Sequence, residues 1–140
     1  MDPEKGGVSI CGSGPAGLAA AITLAKGGRR VIVYERRTEV GSRFHNDLQG
    51  LENWTTQGDV LEEIAALGIA PDFSATPFYE VVLFDPHGRE HHYCSPRPMA
   101  YIVHRGGIEN SLDMELKKQA LDAGVEIHFG ESCRRLPEGG

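Results

Sequence analysis

A glycine-rich hexapeptide near the start of the chain lies between two segments of different periodicity. Residues 12–17 read GSGPAG and follow the pattern G-x-G-x-x-G. The short apolar run before it, residues 8–11, is typical of a buried strand. The stretch after it, residues 15–26, carries apolar residues at helical spacing, begins with a proline that suits a first helical turn and ends at a glycine pair. The pattern therefore predicts a strand, a tight turn and a helix in succession.

A second strand is predicted over residues 30–35, and it ends in an acidic residue about 20 positions after the glycines. Glycines in such a turn allow the sharp bend, the approach of a pyrophosphate to the backbone, and close packing of helix on strand. The helix N-terminus attracts phosphate, and the acid accepts hydrogen bonds from ribose hydroxyls while its charge disfavours the 2′-phosphate of NADP. The unit predicts a dinucleotide site formed by Gly12, Gly14, Pro15, Ala16, Gly17 and Glu35.

The remainder of the chain mixes helical and strand patterns. Residues 38–57 are polar and glycine-rich and are expected to be irregular. Further helices are predicted over residues 58–67 and 111–123, and strands over residues 79–85, 89–94, 101–103 and 125–129. We expect one α/β domain with a Rossmann-like three-layer fold, divided into a β-α-β unit (1–43), a mixed antiparallel insertion (44–104), and a helix with a returning strand (105–140). Because the chain ends directly after a strand, we expect an N-terminal fragment of a longer protein.

The glycine unit alone is compatible with either FAD or NAD. Residues 35–43, ERRTEVGSR, resemble the segment that follows the ribose-binding acid in FAD enzymes of the glutathione-reductase-type fold. That resemblance implies an arginine that pairs with the pyrophosphate, a role open to Arg36 and Arg43. A simple NAD domain would more often continue directly into another helix, whereas a long polar loop follows here. Solvent exposure of both arginines is the alternative.

A second resemblance lies further along the chain. Arg105 precedes a leucine-patterned helix and a strand, as in aromatic hydroxylases and geranylgeranyl-reductase-like flavoproteins, and residues 44–55 look most like the latter branch. The resemblance implies that Arg105 lies near FAD; a surface position is the alternative. It further implies an FAD-dependent oxidoreductase that transfers hydride to or from an organic substrate, isoprenoid or aromatic, with NAD(P)H as a possible donor. An NAD-dependent dehydrogenase and a non-catalytic nucleotide-binding module remain open, and no catalytic residue is identified.

The charge and hydropathy of the chain bear on two questions, whether it binds nucleic acid and whether it crosses a membrane. The net charge is −6 and no basic block occurs, which disfavours nucleic acid as a partner. The resemblance to these flavoproteins implies a small-molecule or lipid substrate instead. The longest apolar stretch is shorter than the roughly 20 residues of a transmembrane span, and the N-terminus lacks a signal-peptide core. We therefore expect a cytoplasmic protein, with attachment to a membrane face left open and the oligomeric state undetermined.

The cysteines and histidines suggest neither a disulfide framework nor a metal site. Cys11, Cys94 and Cys133 are odd in number and have no close pairing in sequence, which argues against a disulfide framework. Cys11 is expected to be a small buried residue of the first strand. The histidines near Cys94 fall on a predicted polar hairpin with alternating side-chain directions, so no metal is expected.

Overall fold

A computed structural model describes residues 7–133 of the protein. This part of the chain contains three helices and eight strands. In chain order they are β1 (Val8–Cys11), α1 (Pro15–Lys26), β2 (Val31–Glu35), β3 (Leu48–Glu52), α2 (Val60–Ala66), β4 (Ala75–Phe78), β5 (Glu80–Phe84), β6 (Glu90–Cys94), β7 (Ala100–His104), α3 (Leu112–Asp122) and β8 (Glu126–Phe129).

The dinucleotide-type unit forms a parallel sheet in the order β1-β2-β8. Val8 lies opposite Val31 in the first pair and Val33 opposite Ile127 in the second. Helices α1 and α3 contact each other. Their apolar side chains, among them Leu18 of α1 and Leu116 of α3, form one hydrophobic core with those of β2. All three strands run in the same direction, so their carboxyl ends meet at one edge, where parallel α/β sheets bind ligands. The predicted Rossmann-like α/β class is confirmed.

A second sheet is antiparallel, and two of its strands were not predicted. Strand β7 lies between β3 and β4, with Gly50 opposite Ile102 and Ala75 opposite Val103. The expectation of an irregular segment over residues 38–57 is therefore wrong for Leu48–Glu52. The sequence LQGLE lacks apolar alternation, and β4 contains Pro77, which is tolerated at a sheet edge. Pairing with β7, rather than local propensity, makes both segments strands.

The third sheet is a two-stranded ribbon of β5 and β6, as the hairpin pattern predicted. Val81 lies opposite Tyr93 and Leu83 opposite His91. At the turn, the Asp85 carboxylate accepts hydrogen bonds from the backbone N–H groups of His87 and Arg89. This local bonding is the reason that an aspartate begins such turns.

The structure contradicts two expectations from the sequence, that Cys11 is buried and that Cys11 and Cys133 take no part in a disulfide. Cys11 and Cys133 form a disulfide with their Cα atoms 5.7 Å apart, and both residues are exposed. The chain after β8 turns back across the sheet edge, because Gly130 N–H donates to the Arg37 carbonyl and Glu131 N–H to the Glu35 carbonyl, each at 2.9 Å. This return brings together cysteines that are 122 positions apart. Cys94 is a free, exposed thiol.

Two further features of residues 7–133 are the length of their helices and the placement of their histidine, cysteine and acidic side chains. None of the helices there is both long and apolar enough to cross a bilayer. The same residues contain no group of three or more histidine, cysteine, aspartate or glutamate side chains arranged to hold a metal ion.

Candidate dinucleotide site

The glycine loop connects β1 to α1 at the carboxyl edge of the parallel sheet. Gly12 has a φ of +97°, which L side chains rarely adopt, and its N–H donates to the Tyr34 carbonyl at 2.8 Å. A Cβ added at Gly17 would lie 2.1 Å from the Gly12 carbonyl oxygen, so helix and loop approach each other too closely for a side chain. These two glycines are required by the protein itself.

Gly14 differs from the other two glycines of the motif. It caps α1 without a side-chain hydrogen bond, at φ −72°, which any residue can adopt. A Cβ added there would meet no atom within 4 Å. The space above Gly14 is therefore open, and the helix N-terminus carries no capping side chain. Such a terminus offers backbone N–H groups and a partial positive charge to an anion.

Glu35 lies beside this loop at the end of β2. Its Oε2 accepts hydrogen bonds from the Ser13 backbone N–H at 2.9 Å and from Ser13 Oγ at 3.0 Å, and its Oε1 accepts from Arg37 N–H at 2.9 Å. Burial raises the pKa of Glu35, but the hydrogen bonds from Ser13 and Arg37 outweigh burial and leave the pKa below its ordinary value of 4.5. The carboxylate is thus ionised at neutral pH and retains acceptor sites for further donors.

A cavity of about 300 Å³ opens between the glycine loop and the segment after β2. The structure brings six of the nine sequence-predicted site residues to its wall: Gly14, Pro15, Glu35, Arg36, Arg43 and Arg105. Sequence reasoning missed further lining residues, among them Ser13, Arg37, Phe44 and Asp113. The guanidinium carbon atoms of Arg43 and Arg105 lie 4.6 and 4.2 Å from the centroid of the Phe44 ring. Several arginine side chains therefore line the same cavity as the uncapped N-terminus of α1.

Arg105 is more constrained than the sequence suggested. It is 6% exposed and donates to both carboxylate oxygens of Asp113, at 2.8 and 2.9 Å. It also donates to Gln49, while Asp113 accepts from Gly106 N–H at 2.9 Å. The guanidinium is therefore held in one orientation on the cavity wall. The sequence signal for Asp113 was its place in the first turn of α3, after the capping Ser111, which does not reveal a partner.

A second cavity, of about 330 Å³, also has Glu35 in its wall. Gly12, from the predicted site, lines this cavity, whereas Ala16 and Gly17 lie in the first turn of α1 and line neither. The other residues that line the second cavity are Cys11, Tyr34, Arg36, Glu131, Ser132 and Cys133. Glu35 and Arg36 belong to both cavities, so an extended ligand that contacts them can reach into each.

Known proteins are similar to this chain in sequence and in fold. Residues 10–57 match the family model described as an NAD(P)-binding Rossmann-like domain. The fold of the chain is Rossmann-like. The chain is 36% identical over 115 residues to all-trans-retinol 13,14-reductase of Homo sapiens, covering 71% of this chain but 18% of that protein. It is 27% identical to digeranylgeranylglycerophospholipid reductase 2 of Methanopyrus kandleri, covering 94% of this chain and 30% of the relative.

Solved structures show the same fold. The domain superposes on a geranylgeranyl bacteriochlorophyll reductase-like protein from Thermoplasma acidophilum with a TM-score of 0.65 and 21% identity, over 89% of this chain and 30% of that one. It matches tetrameric 2-methyl-3-hydroxypyridine-5-carboxylic acid oxygenase with a TM-score of 0.65 and 25% identity, over 91% and 32%. A structure of CtdE in complex with FAD matches with a TM-score of 0.54 and 20% identity, over 91% and 30%.

The resemblance to geranylgeranyl-reductase-like and hydroxylase-like flavoproteins, stated from sequence, is confirmed by these neighbours. These relatives are named as reductases and an oxygenase. The chain spans less than a third of the length of each of these relatives.

Proposed function

We propose that this domain binds FAD and forms the cofactor-binding part of an oxidoreductase that transfers hydride through the flavin. The observation that carries the proposal is the open space at Gly14, bordered by a helix terminus, an ionised Glu35 and arginine side chains. Nothing in residues 7–133 fills the position that a side chain at Gly14 would occupy. A backbone cradle that the protein does not need for its own packing fits a pyrophosphate.

The residues around the cradle suit the parts of the cofactor. Gly12, Gly14, Pro15, Ala16 and Gly17 would present the loop backbone and the helix N-terminus to the pyrophosphate, and Arg36 and Arg43 would neutralise its charge. Glu35 would accept hydrogen bonds from the adenosine ribose. Arg105, fixed by Asp113, would form a positively charged wall near the cofactor. The bound flavin would supply the redox chemistry, and the protein would bind and orient it.

The substrate and the electron donor are extensions of this proposal. Relatives named for retinol, for a digeranylgeranyl phospholipid and for a hydroxypyridine carboxylic acid favour a small organic or lipid substrate, isoprenoid or aromatic. NAD(P)H is the proposed donor, and we expect the protein to act in the cytoplasm. The description of the matching family model as NAD(P)-binding favours one second candidate, an NAD-dependent dehydrogenase.

Gly14→Ala tests the cradle directly. Because the backbone angles of Gly14 suit alanine and no protein atom lies near its added Cβ, we expect a folded variant with a nearly unchanged melting temperature. The methyl group would occupy the pyrophosphate space, so FAD affinity, measured by titration with absorbance or fluorescence detection, should fall at least about tenfold, the loss of a charge-assisted contact or more.

Gly50→Ala is the matched control, since a Cβ there also meets nothing within 4 Å and the residue lies in β3, away from the loop. It should leave FAD affinity unchanged. Equal FAD affinity in the Gly14→Ala variant and the wild-type chain would contradict the assignment of this cradle. The wild-type chain could also bind NADH and show no flavin absorption bands after FAD addition and desalting. That result would contradict FAD binding and favour the NAD-dependent dehydrogenase.

A further inference from the structure

The disulfide between Cys11 and Cys133 forms part of the wall of the second cavity, at the edge of the parallel sheet. We infer that this bridge is a redox-sensitive clamp that shapes the subsite for the adenosine end of the dinucleotide, so that its reduction weakens cofactor binding. The inference rests on the proposed FAD function. It concerns how that site is regulated, which neither the motif nor the relatives specify.

The bridge joins two parts of the site that come from opposite ends of the domain. Cys11 directly precedes Gly12, the first glycine of the loop, and Cys133 follows the turn after β8. Both cysteines line the second cavity together with Glu35, whose carboxylate is hydrogen-bonded to the glycine loop. A ribose held by Glu35 would therefore place the adenine on the side of the cavity where the bridge lies.

The bridge is also what fixes one wall of this cavity. Glu131 is anchored by its backbone hydrogen bond to Glu35, but Ser132 and Cys133 make no hydrogen bond within residues 7–133. The cavity stays open, at about 330 Å³, with the bridge formed. The disulfide thus holds residues 132 and 133 against the loop without filling the space. Preordered walls favour binding because less conformational freedom is lost when the ligand enters.

The clamp can be opened by thiol–disulfide exchange. Cys11 and Cys133 are both exposed, so an external dithiol can reach the bridge. Its thiolate attacks one sulfur, the Cys11–Cys133 bond breaks, and a second exchange releases the oxidised external disulfide. Two electrons and two protons pass from the external dithiol to the two cysteine thiols. The reverse exchange, with an external disulfide as oxidant, restores the bridge.

The test compares the 140-residue chain with its bridge formed and reduced by dithiothreitol, with mass spectrometry of alkylated samples to establish the thiol state. We expect FAD to bind about fivefold more weakly after reduction, corresponding to the ordering of one or two side chains. ADP should show the same ratio and FMN none, because FMN lacks the adenosine end. By linkage, saturating FAD should lower the midpoint potential of the bridge by about 20 mV, the two-electron equivalent of a fivefold ratio.

Two variants complete the experiment. Cys94→Ser removes the free exposed thiol and should retain the wild-type redox dependence. Cys133→Ser should bind FAD as weakly as the reduced protein in both conditions; if it does not fold, the wild-type comparison still decides. Equal affinities in the two redox states, or an effect on FAD but not on ADP, would overturn the clamp and leave FAD binding intact. Absence of FAD binding in both states would overturn the proposed function and the clamp with it.

Discussion

The parallel unit (β1, α1, β2, α3 and β8) and the two-stranded ribbon (β5 and β6) are both regular, yet they bury apolar surface very differently. In the parallel unit Leu18 and Val33 are completely buried. In the ribbon Leu83 is 53% exposed and Phe84 66% exposed. Backbone pairing and a turn are enough to form the ribbon, whereas the parallel unit depends on a core shared by helices and strands. The candidate site lies on the unit that has the core, where side chains and loop are held in place.

The buried ion pair between Arg105, which follows β7, and Asp113 of α3 should give the largest contrast with the ribbon. Asp113→Ala leaves the Arg105 guanidinium, 6% exposed, without its carboxylate. We expect a loss of about 3–5 kcal/mol in the free energy of unfolding, because an unpaired buried charge is costly. Denaturant unfolding followed by circular dichroism measures this loss.

Arg89→Ala is the matched change in the ribbon, because Arg89 also pairs with an aspartate but its side chain is 75% exposed. Its unfolding free energy should differ little from that of the wild-type protein, since solvent screens exposed pairs. If the two variants unfold at the same denaturant concentration, the difference in burial between the regions does not control their stability.

Truncation of one leucine in each region sharpens the comparison. Leu18→Ala removes a completely buried side chain from the core of the parallel unit and should cost about 2–5 kcal/mol of unfolding free energy. Leu83→Ala in the ribbon should change it by about 0.5 kcal/mol or less, as is usual for exposed positions. Thermal melts of both variants test this difference. If Leu83→Ala lowered the unfolding free energy by more than Leu18→Ala, the ribbon would have to contain a hydrophobic core.

A smaller difference between the parallel unit and the ribbon is expected in how their stability depends on pH. The pKa of Asp85 is lowered, first by the Arg89 N–H hydrogen bond and despite some desolvation, and the pKa of Glu35 is lowered by its hydrogen bonds against the opposing effect of burial. A carboxylate with a lowered folded-state pKa stabilises the protein above its unfolded-state pKa, and this contribution is lost as the pH falls through the folded-state value.

We therefore expect the free energy of unfolding to begin to decline below about pH 4.5, where Glu35 takes up a proton in the unfolded state, and below about pH 3.8 for Asp85; each loss is complete below the lowered folded-state pKa. Amide hydrogen exchange should show loosening of the Ser13 loop in the first case and of the ribbon turn in the second. Glu35→Gln and Asp85→Asn should each remove the corresponding pH dependence. An unaltered acid profile in Glu35→Gln would contradict the role of its carboxylate in holding the loop.

Local signals in the sequence were sufficient for the elements whose structure is determined by neighbouring residues. The glycine motif and the proline at the start of α1 each act within a few residues, and the helices and the ribbon lie close to their predicted ranges. The structure adds two further local signals, the capping Ser111 and the Asp85 turn. The fold class followed from the order of the predicted elements. Residues of the candidate site that belong to this unit could be named for the same reason.

Features that join distant segments could not be predicted in this way. Strands β3 and β4 exist because β7 lies between them, and Arg105 is oriented by Gln49 as well as by Asp113. The second cavity and the Cys11–Cys133 bridge depend on the chain turning back after β8. The sequence by itself determined the dinucleotide-type unit, since its turn and helix are local backbone requirements. Only the tertiary structure decided how the site is enclosed, because contacts across 122 positions arise from packing and strand order.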